Sequence, residues 1–191
     1  QLLWINLVTD SLPALALSVD PADSDVMNKQ PNRANGIFTK GMTWRIIYQG
    51  LTIGIVTLIA FICGLASSDS TIMSIQSKYP HLSIPELKVE IGQTMAFIVI
   101  AFSELVHVFN IRNNNKSIFK TGIGGNKWLF IANGVASVLM LIVLLIPGLQ
   151  QLFGIIMLPI DKLVECIILI FIPVIIVEIM KLLKINTSKD E

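Results

Sequence analysis

The chain has 191 residues, of which 53% are hydrophobic and 14% are charged, and its formal net charge is +1. Soluble domains carry about a quarter charged residues, so this composition excludes an ordinary soluble domain and indicates an integral membrane protein. The near-neutral charge gives no reason to expect a nucleic-acid partner. The two cysteines, Cys63 and Cys166, lie in apolar runs, which favours two buried thiols over a disulfide.

Five segments are long and apolar enough to be transmembrane helices, which need about twenty mostly apolar residues. They are residues 2–19, 46–66, 94–109, 129–146 and 163–183. The predicted fold class is therefore all-α, an integral membrane helical bundle of five transmembrane helices that forms one domain over residues 1–191. Because the chain starts inside an apolar span and shows no signal-peptide pattern, we expect a piece of a longer polypeptide.

The first span, QLLWINLVTDSLPALALSVDP, carries a polar cluster near its middle. Asn6, Thr9 and Asp10 are spaced i, i+3 and i+4, which predicts that they share one face of a regular helix. Pro13 has no N–H, so the carbonyl of Thr9 loses its helical donor. A carboxylate at membrane depth is expected to face the bundle interior or an ion. Amide, hydroxyl, carboxylate and carbonyl oxygens are the hard ligands that Ca²⁺ prefers.

Basic residues concentrate in the connections after the first and third spans and in the C-terminal tail. The positive-inside rule therefore predicts that these three segments are cytoplasmic. The first span then runs from outside to inside, the connection 67–92 lies outside, and the C-terminus is cytoplasmic. The expected location is a plasma membrane.

Two weaker patterns follow the first span. The connection after it contains Asp20, Asp23 and Asp25 but lacks the central Gly and terminal Glu of an EF-hand, so a solvated acidic turn is favoured. In the second span, Gly50 and Gly54 form a G-x-x-x-G pattern, which predicts close helix packing inside the bundle rather than dimerisation.

The third span, TMAFIVIAFSELVHVFN, places Glu104 near the middle of the membrane, where a carboxylate is functional by default. His107 follows at i+3, but one His and one Glu are too few for a zinc site. The fourth span has no charge and is interpreted as packing. The fifth has Glu165 and Glu178 near its ends, and Glu178 is placed to pair with Lys181 at i+3.

The string NLVTDSLPALAL of the first span resembles the sixth transmembrane helix of P-type calcium-transporting ATPases, especially pumps like that of the sarco(endo)plasmic reticulum. The resemblance continues through DPADSDVM and through the string that begins TMA before Glu104, and reaches the last span. It implies that the chain is the C-terminal transmembrane portion, the family's sixth to tenth helices. The implied function is ATP-driven export of calcium from the cytosol through an aspartyl-phosphate intermediate.

The resemblance also implies individual roles. Asp10 would bridge two calcium sites, Asn6 would serve one of them, and Thr9 with Glu104 the other. ATP and Mg²⁺ would act only through the N-terminal remainder of the pump, because the phosphorylation motif DKTGT is not in this chain. That remainder comprises the actuator, phosphorylation and nucleotide domains and the first five helices. The expected partners are this remainder and the lipid bilayer, and the chain alone is expected to be inactive.

Ion release would leave two buried carboxylates, Asp10 and Glu104, facing each other. Burial and like-charge repulsion then favour protonation, which is a route to proton countertransport. Three alternatives stay open: a P-type pump for manganese or sodium, a channel or membrane binding protein built only of these five helices, and a structural membrane subunit without transport. The last has no need of Asn, Thr, Asp and Glu at membrane depth.

Overall fold

The computed structural model describes residues 1–20, 42–112 and 126–182, which are helical and contain no strand. The all-α prediction is confirmed. We number the helices of these ranges in chain order: α1 (Leu2–Ser18), α2 (Met42–Leu65), α3 (Asp69–Gln76), α4 (Ile84–Ile111), α5 (Lys127–Leu145), α6 (Pro147–Phe153) and α7 (Ile160–Leu182).

Four helices, α2, α4, α5 and α7, are long and apolar enough to cross a membrane. They correspond to the second to fifth predicted spans. The first predicted span forms α1, which is apolar but shorter than the 18 residues that define the other four. Five spans are therefore not confirmed, and α1 as a fifth span stays a prediction. The aspartates Asp23 and Asp25 and most of the basic residues behind the orientation lie outside the described residues.

Helix starts follow local capping chemistry. α4 begins after Ser83, whose backbone N–H and hydroxyl both donate to the Glu86 carboxylate, at 2.9 and 2.6 Å. This capping box places the start of α4 ten residues before the predicted span. α5 begins after Asn126, whose Oδ1 accepts the backbone N–H of Leu129 at 3.1 Å. Both starts use a side-chain oxygen to satisfy an N–H that the helix itself leaves unpaired.

α4 is the central helix of the bundle. In its most apolar window 61% of residues are buried, against 11%, 22% and 28% in α2, α5 and α7. α1, α2, α5 and α7 all pack against it. A helix that is buried on most sides presents different faces to different neighbours, and α4 carries the candidate ligand Glu104 on one of them.

α2 and α4 cross at a pair of glycines. A Cβ on Gly64 would lie 2.4 Å from the Cα of Gly92, and a Cβ on Gly92 would lie 2.8 Å from the carbonyl oxygen of Phe61. Neither position has room for a side chain, so the backbones approach directly. The predicted packing through Gly50 and Gly54 is not seen among the described residues, where a Cβ on either of them would meet nothing within 4 Å.

Other predictions for the later spans are resolved by contacts. Glu178 pairs with Lys181 at 3.2 Å, as the spacing predicted, although Glu178 is buried rather than at an interface. Glu165 pairs with Lys162 at 2.9 Å. Cys63 and Cys166 are both free thiols, and Cys166 is fully buried.

We call the side of the bundle where α1 and α4 end, at Asp20 and Arg112, the Arg112 end. His107 lies towards it, and its Nε2 is 3.3 Å from Oε1 of Gln49 on α2. Within the described ranges no group of three or more His, Cys, Asp and Glu side chains is arranged to hold a metal.

Candidate ion-binding site

The polar cluster of α1 lies in a π-helical turn. Residues Asn6–Asp10 form this turn between α-helical segments Leu2–Ile5 and Ser11–Ser18. The sequence predicted a regular helix here, and that detail is wrong. A π turn is wider than an α turn because its hydrogen bonds skip one more residue, and such turns are frequent at functional sites. Pro13 lies in the α-helical segment that follows the turn, and because it lacks an N–H it cannot donate to the carbonyl of Thr9 four residues back.

Thr9 and Glu104 meet between α1 and α4. The Thr9 hydroxyl oxygen lies 2.7 Å from Oε2 of Glu104 and 2.9 Å from the carbonyl oxygen of Ile5. Thr9 is buried, with 4% of its surface exposed. Two of the four predicted ligands, 95 residues apart in the chain, are therefore in direct contact at the depth of the apolar helices.

Asn6 and Asp10 are placed differently. Both side chains are exposed, and neither forms a hydrogen bond within the part of the chain that the structure describes. The Asp10 and Glu104 carboxylates are close enough to repel each other. The predicted single face is thus split, because the wider π turn changes the angular spacing: Thr9 points to α4, while Asn6 and Asp10 lie on the uncovered surface of α1.

The hydrogen bonds of the Thr9 hydroxyl depend on whether Glu104 carries a proton. A threonine hydroxyl has one proton, but the Thr9 oxygen has two oxygen neighbours, a carbonyl and a carboxyl. If the hydroxyl donates to the carbonyl of Ile5, the second contact is satisfied when Glu104 carries a proton and donates to Thr9. If the carboxylate instead binds a cation, the hydroxyl oxygen is positioned to bind the same ion.

Sequence reasoning missed Asn133, which lies on α5 in the span interpreted as packing. Its Nδ2 donates to the carbonyl of Leu105 at 2.9 Å, next to Glu104 in the chain. Its Oδ1 is buried without a partner among the described residues, as is the hydroxyl of Ser103. An asparagine inside an apolar span was the available signal, because polar side chains at membrane depth pack against other helices or serve a site.

The four predicted ligands do not form a closed cage in these residues. Ca²⁺ takes about six to eight oxygens, and Asn6, Thr9, Asp10 and Glu104 offer fewer. A cleft of about 710 Å³ between α1, α2 and α4 lies nearby, but none of the four lines it. The four side chains therefore do not enclose an ion by themselves, and Asn6 and Asp10 lie on a side that the described residues leave open.

The chain was compared with known protein families. The family model described as cation transporting ATPase, C-terminus, matches residues 1–183. The chain belongs to this family. The match covers all the described helices, so the contact between Thr9 and Glu104 lies within a cation-transporting ATPase C-terminal region.

Several similar proteins are calcium-transporting ATPases by name. Calcium-transporting ATPase 1 of Bacillus cereus is 40% identical over 188 residues, which is 97% of this chain and 21% of that protein. The calcium-transporting ATPase of Bacillus subtilis is 33% identical over 154 residues, covering 80% of this chain and 15% of that protein. Calcium-transporting ATPase 3, endoplasmic reticulum-type, of Arabidopsis thaliana is 30% identical and covers 98% of this chain and 20% of that protein.

The chain spans about a fifth or less of the length of these relatives. The resemblance to P-type calcium-transporting ATPases seen in the sequence is confirmed. The chain corresponds to the C-terminal region of a cation-transporting ATPase, and in the relatives this region is part of a longer polypeptide.

Proposed function

We propose that this chain is the C-terminal membrane part of an ATP-driven pump that exports calcium from the cytosol. The observation that carries the proposal is the contact between Thr9 and Glu104, which joins oxygen ligands from two apolar helices. The names of the similar proteins support calcium as the transported ion. A structural subunit would have no use for a carboxyl group at this depth, where an unpaired one is costly.

Asn6, Thr9, Asp10 and Glu104 are the proposed ligands of the transported ion. Thr9 and Glu104 already touch, and Asp10 lies close enough to add its charge. Two carboxylates neutralise one divalent ion. The missing oxygens would come from the N-terminal remainder of the pump, covering the exposed side of α1 that carries Asn6 and Asp10. In this arrangement Asp10 bridges two calcium sites, Asn6 serves one, and Thr9 with Glu104 serves the other.

Protons are the proposed counter-ions. The Thr9 hydroxyl has one proton for two oxygen neighbours, and a protonated Glu104 would donate to Thr9 while the hydroxyl donates to the carbonyl of Ile5. Calcium binding would displace that proton, and calcium release would restore it. Each cycle would then return protons as calcium leaves.

ATP and Mg²⁺ would act through the N-terminal remainder, so residues 1–191 alone are expected to release no phosphate from ATP. The full-length pump is expected to be phosphorylated by ATP only when calcium is present. Purified residues 1–191 and the full-length protein, assayed side by side, test this. Phosphate release by the fragment that survives further purification would contradict the proposal.

The proposed orientation places the Arg112 end in the cytoplasm and α3 outside, in a plasma membrane with a cytoplasmic C-terminus. A single cysteine at Ser74→Cys on α3, in a background without Cys63 and Cys166, should react with an impermeant reagent added outside. Reaction only from the cytoplasmic side would contradict the orientation.

Asp10→Asn in the full-length pump tests the function itself. The substitution keeps the shape and removes one charge from both proposed sites. We expect phosphorylation by ATP to lose its calcium response, while phosphorylation by inorganic phosphate, which needs no calcium, persists. Asp161→Asn, at the start of α7 near the opposite end, is the matched control and should behave as wild type. Normal calcium dependence in Asp10→Asn would contradict the proposal. So would a wild-type pump whose phosphorylation by ATP requires manganese or sodium instead of calcium.

A further inference from the structure

An ion pair joins the ends of the two helices that carry the proposed ligands. Nε of Arg112, directly after α4, donates to both carboxylate oxygens of Asp20, two residues after the end of α1, at 3.1 and 3.0 Å. The two side chains are only 12% and 21% exposed. The backbone N–H of Asp20 donates to the carbonyl of Leu17 at 3.1 Å, so its position follows the end of α1.

The same end of α1 is held from a second side. Asn126, which is 3% exposed, donates from Nδ2 to the carbonyl of Ala16 at 2.8 Å. Its Oδ1 caps α5 by accepting the N–H of Leu129. One side chain therefore satisfies a free carbonyl in the last turn of α1 and a free N–H in the first turn of α5.

α1 and α4 thus touch through polar groups at two heights. Glu104 lies eight residues before Arg112, which is about 12 Å along α4 at a rise of about 1.5 Å per residue. A slide of α1 against α4 by one residue would move Thr9 by about 1.5 Å, enough to break a hydrogen bond or a metal ligand. The pair at the Arg112 end opposes this slide.

We propose that Asp20 and Arg112 are positioning residues for the ion site: their ion pair fixes the register of α1 against α4, so that the Thr9 hydroxyl meets the Glu104 carboxylate. The inference rests on the proposed function for its effect on calcium. The register itself is a property of the helices and does not depend on which ion is carried.

The first test measures calcium activation of the full-length pump in Asp20→Asn, Arg112→Gln and the charge-swapped variant Asp20→Arg with Arg112→Asp. Each single change should raise the calcium concentration for half-maximal activity about threefold to tenfold, the range expected for a partly buried ion pair. Turnover at saturating calcium should stay within about twofold. The swap should recover at least half of the lost affinity.

Asp161→Asn is again the matched control, because it removes the same charge from a carboxylate that accepts the Thr71 hydroxyl at 3.1 Å, without touching α1. It should leave half-maximal calcium unchanged. If both single variants keep the wild-type calcium response, or lose turnover without losing affinity, the positioning role is wrong. If a single variant does not accumulate in membranes, Asp20→Glu and the swap test the positioning role instead. Both should then show a calcium affinity below that of wild type by less than about tenfold.

The second test needs no ion. Thr9→Cys and Glu104→Cys, in a background lacking Cys63 and Cys166, should be joined by a short bifunctional thiol reagent, because the native side chains touch at their tips and a direct disulfide would need the two Cβ atoms much closer together. Adding Asp20→Asn should slow this cross-link severalfold, and adding Asp161→Asn should not. A wild type that ignores calcium would refute the proposed function while this cross-link still decides the register. An unchanged cross-linking rate would refute the positioning role.

Discussion

α4 meets α2 and α1 in two different ways. Against α2 it brings Gly92 to Gly64, and the backbones touch with no side chain between them. Against α1 it brings Glu104 to Thr9, and the contact is made by polar atoms at the tips of side chains. The α2–α4 contact has no room for a side chain, whereas the oxygen atoms of the α1–α4 contact are able to exchange hydrogen-bond partners.

The two contacts differ in role: one stabilises the packing of the helices, and the other presents ligands for an ion. In a lipid environment helices gain little from burying apolar side chains against each other, so close backbone packing supplies association. A carboxyl group at the same depth lowers stability unless it binds a proton, a donor or an ion. We infer that the α2–α4 contact is structural and the α1–α4 contact is functional, and substitutions should distinguish the two.

The largest effect on stability is expected at the glycine contact. Gly64→Ala would place a methyl group 2.4 Å from the Cα of Gly92, and backbone cannot yield as a flexible side chain can. We expect a loss of about 1–3 kcal/mol in the free energy of unfolding, measured by denaturant titration in detergent. The calcium affinity of molecules that remain folded should change little.

Gly54→Ala, in the same helix, is the control for that substitution. Its Cβ would meet nothing within 4 Å, and alanine favours a helix over glycine by about 1 kcal/mol. The variant should be as stable as wild type or slightly more so. Equal losses at Gly54 and Gly64 would contradict the assigned helix crossing.

Thr9→Val should have the opposite effect to Gly64→Ala, a large loss of calcium affinity with a small loss of stability. Valine keeps the shape and removes the hydroxyl that contacts Glu104. We expect the calcium concentration for half-maximal activation of the full-length pump to rise about tenfold, equivalent to about 1.4 kcal/mol, with a smaller change in stability. Calcium-dependent ATPase activity and unfolding should be measured on the same preparation.

Thr52→Val on α2 is the matched control, because the Thr52 hydroxyl also donates to a carbonyl four residues back, that of Tyr48, but contacts no carboxylate among the described residues. It should leave calcium activation unchanged. A similar loss of affinity in both valine variants would show that the effect belongs to helix geometry rather than to the Glu104 contact.

The smallest effect is expected at Asn133, which joins α5 to α4 by a hydrogen bond to the residue next to Glu104. Asn133→Leu removes the hydrogen bond to the carbonyl of Leu105 and the buried, unpaired Oδ1. Hydrogen bonds between membrane helices contribute about 0.6 kcal/mol on average, so stability should fall by about that amount and calcium affinity by less than about threefold. A loss as large as that of Thr9→Val would make Asn133 part of the ion site.

The apolar runs predicted the four long helices, and the rule that carboxylates are costly at membrane depth singled out Glu104. The sequence could not predict that Glu104 contacts Thr9 and leaves Asn6 apart, because this depends on the π turn. Spacing rules assume a regular helix, and Pro13 was a signal of a loosened carbonyl but not of the wider turn.

The glycine contact between α2 and α4 was not predicted, for a similar reason. Gly50 and Gly54 satisfy the spacing of a packing motif within one helix, but helix crossing depends on which faces meet. Gly64 and Gly92 lie on different helices, so no local pattern joins them. The ion pair of Asp20 and Arg112 is equally non-local. In the sequence each residue is only a charge near the end of an apolar span, and nothing local predicts that the two meet.

Equilibrium binding of radioactive calcium to the full-length pump tests the central claim, that Glu104 binds the transported ion, most directly. Glu104→Gln is nearly isosteric with a protonated glutamate but cannot offer a charged ligand. Glu165→Gln on α7 is the control, because Glu165 pairs with Lys162 away from α1. We predict that Glu104→Gln lowers the number of calcium ions bound per phosphorylation site by one, or weakens binding more than about tenfold, while Glu165→Gln binds as wild type. Unchanged stoichiometry with unchanged affinity in Glu104→Gln would contradict the account.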